Sequence, residues 1–208
     1  MKIQLALDRL TKDEYFHIVR ETMDFIDWIE IGTGIIKEYG MSIVKEMKSL
    51  YPDKMIVADM KTCDAGKHEA EQAFKAGADV MTVMGFANNH TILDALEVAQ
   101  SYKKQVMIDL LEIKEKGRVE ELNRLGADFF CLHIGKDSQL QGESVKEGQM
   151  KLVSGLELVH IAVAGGVNED SVGGFLNKGI QVAIVGSAIT KSENPSETAK
   201  RIREAFQI

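Results

Sequence analysis

Short apolar runs rich in β-branched residues alternate with amphipathic stretches along the whole chain. The runs Ile3 to Leu7, Trp28 to Ile31, Met55 to Asp59, Val80 to Val83, Val106 to Leu110, Phe129 to His133, Leu158 to Ala164 and Val182 to Val185 predict eight strands. Most are apolar throughout rather than alternating, as in a parallel sheet covered on both faces. Between them the hydrophobic spacing becomes helical. Thr11-Lys12-Asp13-Glu14 is a capping box, and it opens a helix with Phe16, Val19 and Met23 on one stripe. Ile43, Val44, Met47 and Leu50 form a second stripe, Val119, Leu122 and Leu125 a third, and Ile202, Ala205 and Phe206 a last one.

A weak internal echo marks the unit. Ala76-Gly77-Ala78-Asp79 and Leu125-Gly126-Ala127-Asp128 each close a helix with glycine and open a strand. Lys178-Gly179-Ile180-Gln181 repeats the pattern more loosely. Glycine suits the left-handed residue that ends a helix. Eight strand–helix units predict a single-domain (β/α)8 TIM barrel over residues 1–208. The alternative is an open doubly wound sheet. The count of eight and the gathering of polar residues at strand ends favour the barrel.

Composition narrows the function classes. The chain has 208 residues, 45% hydrophobic, enough to bury one sizeable core. No apolar run is long enough to span a membrane, and Met1 to Asp8 reads as a strand rather than a signal peptide. Cys63 and Cys131 have neither metal-ligand spacing nor a disulfide framework around them, and both read as packing residues. A cytoplasmic enzyme is expected. A formal net charge of -7 argues against nucleic acid as the main partner. The ten methionines read mostly as core filler.

The candidate chemistry lies at the C-terminal ends of the predicted strands, where barrels build their sites. Asp59, Lys61 and Asp64 stand in the pattern Asp-x-Lys-x-x-Asp directly after an apolar run. A charge entering the end of a buried strand is costly unless paired or bound. Side chains two apart on a strand share a face, so Asp59 and Lys61 are expected to point the same way, with Asp64 on the following loop. Asp8 ends the first strand, Glu30 lies near the end of the second, Asp109 late in the fifth, and His133 ends the sixth. Strands seven and eight end in Gly165-Gly166 and Gly186-Ser187. Gly166, Gly186 and Ser187 read as a phosphate cradle, since glycine lets backbone N–H groups approach an anion closely. Each residue also has a plain structural reading. Asp8 could cap the first helix, Asp109 could cap a helix or orient Lys61, and Lys61 could be a salt bridge to Asp59 or Asp64. Gly165-Gly166 could be a simple turn. Gathering at one barrel mouth is what favours a joint catalytic role.

These motifs resemble the orotidine monophosphate decarboxylase superfamily over the whole chain. Glu30-Ile31-Gly32-Thr33 is the discriminating segment. The decarboxylases that name the superfamily carry lysine near Glu30 and use no metal. Glutamate there is similar to the magnesium-dependent branch of 3-hexulose-6-phosphate synthases and 3-keto-L-gulonate-6-phosphate decarboxylases. Ser187 after Gly186, with Ile189-Thr190, looks like the synthase side, where the decarboxylase side has arginine. Asp137-Ser138-Gln139 with Gly142 does too, whereas Lys136 departs from both patterns.

The resemblance implies an aldehyde-lyase that joins formaldehyde to D-ribulose 5-phosphate. It implies Mg²⁺ held by Glu30 and Asp59, with Lys61 adding positive charge beside the same substrate oxygens. His133 is the candidate general base at C1, since an imidazole's ordinary pKa lies near neutral. Asp8 and Asp109 would bind substrate, and Asp64 would reach the neighbouring subunit of a homodimer. Decarboxylation of 3-keto-L-gulonate 6-phosphate is the alternative, and a non-catalytic sugar-phosphate-binding barrel a distant one.

Overall fold

The computed structural model describes residues 1–135, 137–138 and 147–206. Lys136, Gln139 and Gly142 of the motif after the sixth strand lie outside the described residues. Eight parallel strands close into a barrel in chain order: β1 (Lys2–Leu7), β2 (Trp28–Ile31), β3 (Met55–Thr62), β4 (Val80–Met84), β5 (Gln105–Asp109), β6 (Phe129–His133), β7 (His160–Ala164) and β8 (Val182–Val185). β8 returns to pair with β1, Ile3 opposite Ala183 and Leu5 opposite Val185, so no strand edge is left open. Helices α1 (Lys12–Thr22), α2 (Thr33–Tyr39), α3 (Ser42–Leu50), α4 (Gly66–Lys75), α5 (Asn89–Tyr102), α6 (Lys116–Arg124), α7 (Glu147–Val153), α8 (Glu169–Val172), α9 (Ser187–Thr190) and α10 (Pro195–Ala205) follow the strands. Among the described residues no helix is long and apolar enough to cross a membrane.

Strand alternation divides the apolar residues into two cores. Outward residues such as Ile3, Leu5, Ile29, Ile31, Ile56 and Ala58 pack under the helices with Val19, Val44, Met47 and Phe74. Inward residues such as Trp28, Val57, Val80, Met107, Phe129 and Cys131 fill the barrel itself. The barrel is therefore packed up to its C-terminal mouth, and the next inward positions are Glu30, Asp59, Thr82, Asp109 and His133. The predicted capping box of α1 is present, with Thr11 and Glu14 exchanging hydrogen bonds. Gly77, Gly126 and Gly179 all have positive φ, which accounts for the repeated glycine at the units' ends.

Several local expectations are corrected. β7 starts at His160, and Leu158 lies outside it, 96% exposed and with φ of 57°. Leu110 falls just past β5, whereas β3 runs on to Thr62 and takes Lys61 into the strand. The buried face of α1 is Tyr15, Ile18, Val19 and Thr22, so Phe16 is half-buried and Met23 exposed. Leu50, the last residue of α3, is likewise exposed, and the buried face of that helix is Ile43, Val44 and Met47. Cys131 is buried as expected, and burial pushes its thiol well above the usual range. Cys63 is not a packing residue: it is exposed on the β3–α4 loop.

Candidate active site

The central acid–base cluster is assembled by an irregularity in β3. Ala58 pairs with Met81 and Thr62 with Val83, so four residues of β3 advance against two of β4. The extra length bulges into the barrel mouth, and Lys61 adopts a left-handed φ of 48° within it. A non-glycine residue in that region carries strain, which collects at functional sites. Thr82 of β4 holds the bulge. Its Oγ1 accepts the Lys61 backbone N–H at 2.9 Å and donates to Asp59 Oδ1 at 2.8 Å. Thr33, first residue of α2, donates to Asp59 Oδ2 at 2.7 Å. Asp59 and Lys61 thus meet as expected, Lys61 Nζ lying 3.0 Å from the Asp59 carboxylate, but through a bulge rather than through regular alternation.

Lys61 Nζ also donates to Asp109 Oδ2 at 3.0 Å, and His133 Nδ1 lies 2.9 Å from that same oxygen. Glu30 is buried beside them, and Gln4 Nε2 donates to its Oε2. Glu30, Asp59, Lys61, Asp109 and His133 are therefore brought together. Burial, and then the negative charge of Asp59, push the Glu30 carboxyl up to about 7. Burial opposes ionisation of Asp109 as well, but His133 and Lys61 outweigh it and hold that carboxyl down at about 2.

The sequence resemblance implies a metal, and the donor set bears on it directly. Among the described residues no group of three His, Cys, Asp or Glu converges on one point. Two buried carboxylates, Glu30 and Asp59, do repel one another, and a cation between them would relieve that repulsion. Two carboxylate ligands with the remaining positions left to water and substrate oxygens fit Mg²⁺ chemistry. The residues therefore fit the ion, Glu30 and Asp59 being the ones that would hold it.

The other expected site residues lie around this cluster. Asp8 is exposed, and its Oδ1 accepts the Gly34 N–H at 2.8 Å. It caps α2, one unit further along than the first helix. Asp64 is exposed on the β3–α4 loop, outside the hydrogen bonds that join Lys61 to Asp59 and Asp109. Gly166 follows β7 with φ of 75° and open space where a Cβ would stand. Gly186 and Ser187 follow β8, which pairs with β7. A cavity of about 250 Å³ opens beside His133, with Leu110, Ile113, Gly135 and Gln149 in its walls.

Gly165 is more than the turn residue its sequence suggests. Its φ is 106°, and a Cβ there would stand 2.5 Å from the Ile134 carbonyl oxygen. Gly165→Ala is expected to cost about 2 kcal/mol, against about 1 kcal/mol for Gly166→Ala, where only the backbone is strained. Thermal melting of the two variants checks the order. The parts that Gln4, Thr33 and Thr82 play in the site were missed by sequence reading. The available signal was polarity inside apolar strands for Gln4 and Thr82, since buried polar groups need partners.

The chain resembles known proteins over almost its whole length. The model of the orotidine 5'-phosphate decarboxylase / HUMPS family matches residues 1–202. The 3-hexulose-6-phosphate synthase of Mycobacterium gastri is 39% identical over 208 residues, covering 99% of this chain and 100% of that one. The crystal structure of 3-hexulose-6-phosphate synthase from Salmonella typhimurium superimposes with a TM-score of 0.97 at 35% identity, over 100% of this chain and 99% of that one. The 3-keto-L-gulonate-6-phosphate decarboxylase of Vibrio cholerae gives a TM-score of 0.88 at 25% identity, over 99% of this chain and 97% of that one. Full-length matches of this kind, on a barrel that places the diagnostic acids and lysine at one mouth, show that the chain belongs to the orotidine 5'-phosphate decarboxylase / HUMPS family.

Proposed function

We propose that this protein is an aldehyde-lyase that joins formaldehyde to D-ribulose 5-phosphate, giving D-arabino-hex-3-ulose 6-phosphate, and that it runs the reverse cleavage. The observation that carries the reading is the cluster in which the buried acids Glu30, Asp59 and Asp109 meet the part-buried Lys61 and His133. The 39% identity to a synthase of that name supports it.

The difficult step is removal of a proton from the carbon beside the ketone. His133 takes the C1 proton, and the electron pair left behind moves into an enediolate. Lys61 places fixed positive charge beside the oxygens on which the negative charge develops. Held by Glu30 and Asp59, Mg²⁺ would supply Lewis acidity toward those same oxygens. The enediolate carbon then attacks the formaldehyde carbon, and the new alkoxide recovers the proton from His133. Asp8 holds substrate hydroxyls, and the loops of Gly166, Gly186 and Ser187 hold the phosphate. Asp64, exposed at the rim, acts in the site of a second copy in a homodimer.

Purified protein with Mg²⁺ and ribulose 5-phosphate is expected to consume formaldehyde, and EDTA to stop it. Release of CO2 from 3-keto-L-gulonate 6-phosphate without formaldehyde loss would assign the decarboxylase reaction instead. Tight sugar-phosphate binding with neither turnover would mark a sensor.

A further inference from the structure

We propose that Asp109 is a positioning residue that fixes the tautomer of His133, with the proton on Nδ1 and the lone pair on Nε2. Sequence reading placed Asp109 among the substrate-binding residues, but its oxygens are engaged within the protein. Its side chain is 3% exposed. Oδ1 accepts the Leu111 N–H at 2.9 Å, and Oδ2 accepts from Lys61 Nζ at 3.0 Å. His133 Nδ1 lies 3.0 Å from Oδ1 and 2.9 Å from Oδ2, straddling the carboxylate.

A carboxylate is an acceptor only, so a hydrogen bond between these groups requires the proton on Nδ1. The low pKa of Asp109 keeps it ionised across the neutral range. A neutral imidazole carries one N–H, so Nε2 is then the ring atom with the free pair. That is the state a general base needs. The opposite tautomer would present an N–H to the substrate and could take no proton from it.

The register explains why the contact forms. Asp109 stands opposite Cys131 on β6, and His133 is two residues further along the same face. Lys61, arriving from the β3 bulge, fills the other side of the carboxylate. One buried acid thus sets both the charged group and the base.

The proposal rests on the reading of His133 as the base at C1, and the test separates the two. In ¹⁵N NMR of histidine-labelled protein without substrate, wild type is expected to show His133 with Nδ1 protonated and Nε2 carrying the lone pair. In Asp109→Asn the amide can donate to Nδ1, so the reverse tautomer is expected. Exchange of the ribulose 5-phosphate C1 proton in deuterated water should fall on the order of 10²–10⁴-fold in that variant, with KM changed by less than about threefold. A wild-type His133 with its lone pair on Nδ1 would overturn the proposal. So would an Asp109→Asn protein that keeps the wild-type tautomer, or one that raises KM with kcat intact, since that marks direct substrate contact. If Asp109→Asn does not fold, the wild-type spectrum still decides. Absence of C1 exchange in wild type would sink the base assignment and leave the spectra to judge Asp109.

Discussion

Lys61→Met is expected to cut turnover by about 10²–10³-fold, because it removes a fixed positive charge from beside the developing negative one. Methionine keeps most of the stem and discards the ammonium. Burial works against that charge, but Asp59, Asp109 and Glu30 together hold Lys61 protonated well above the usual lysine range. Without it three buried acids are left close together. Breaking a buried ionic cluster by removing one partner costs about 3 kcal/mol or more. The remaining carboxyls then bind protons more tightly folded than unfolded, so stability of the variant should rise as pH falls from neutrality. Wild type should run the other way in acid. Asp109 is depressed to about 2, so its contribution is present above the unfolded value of about 3.9 and is lost as pH falls through the folded one. Melting curves below about pH 4 should show the wild-type loss; between there and neutrality both proteins should gain stability as pH falls, the variant more steeply, since Glu30 already gives wild type part of that rise. A Lys61→Met protein with undiminished formaldehyde consumption would remove Lys61 from the mechanism.

Glu30→Gln should give the second large effect: loss of Mg²⁺-dependent turnover together with a metal-free fold that is more stable at and above neutral pH. Glu30 is buried, and its carboxyl is raised to about 7. A raised folded pKa means that the group's contribution is fully present below the unfolded value and is lost as pH climbs through the folded one. At about 1.4 kcal/mol per unit, the span from about 4.3 to about 7 corresponds to between roughly 3 and roughly 4 kcal/mol in the metal-free protein. Glutamine does not titrate, so the variant should lack this loss across that span. Calorimetric titration should show Mg²⁺ affinity lowered by more than about tenfold, the loss that even supporting residues of a metal site bring. Unchanged Mg²⁺ affinity in both Glu30→Gln and Asp59→Asn would sink the ligand assignment.

Much of the barrel is legible along the chain because burial on both faces leaves a plain signal. β2, β6 and β8 begin and end where the apolar runs do. Helix faces are read less well. In α1 the buried set is shifted by one residue from the stripe of Phe16, Val19 and Met23, since a helix lying on a curved barrel can bury Tyr15 and Ile18 instead. The charged members of the site stand out because an acid or lysine at the end of an apolar strand is costly without a purpose. The neutral members do not. Thr33 and Thr82 look like ordinary threonines, yet each donates to Asp59. Asp8 looks like a cap for the next helix in sequence and instead caps α2, because β1 and β2 are neighbours and bring Gly34 within 2.8 Å of it.

The eight units, the packed interior and the identity of the charges at one mouth can all be read along the chain, because each follows from local polarity and period. Which of those charges touch one another cannot be read there. Lys61 reaches Asp109 across 48 positions of chain, and His133 reaches it across 24. Those contacts depend on the register in which β3, β5 and β6 close around the barrel and on a bulge that turns Lys61 left-handed. Register and closure are set by packing over the entire ring, so no local stretch of sequence carries them.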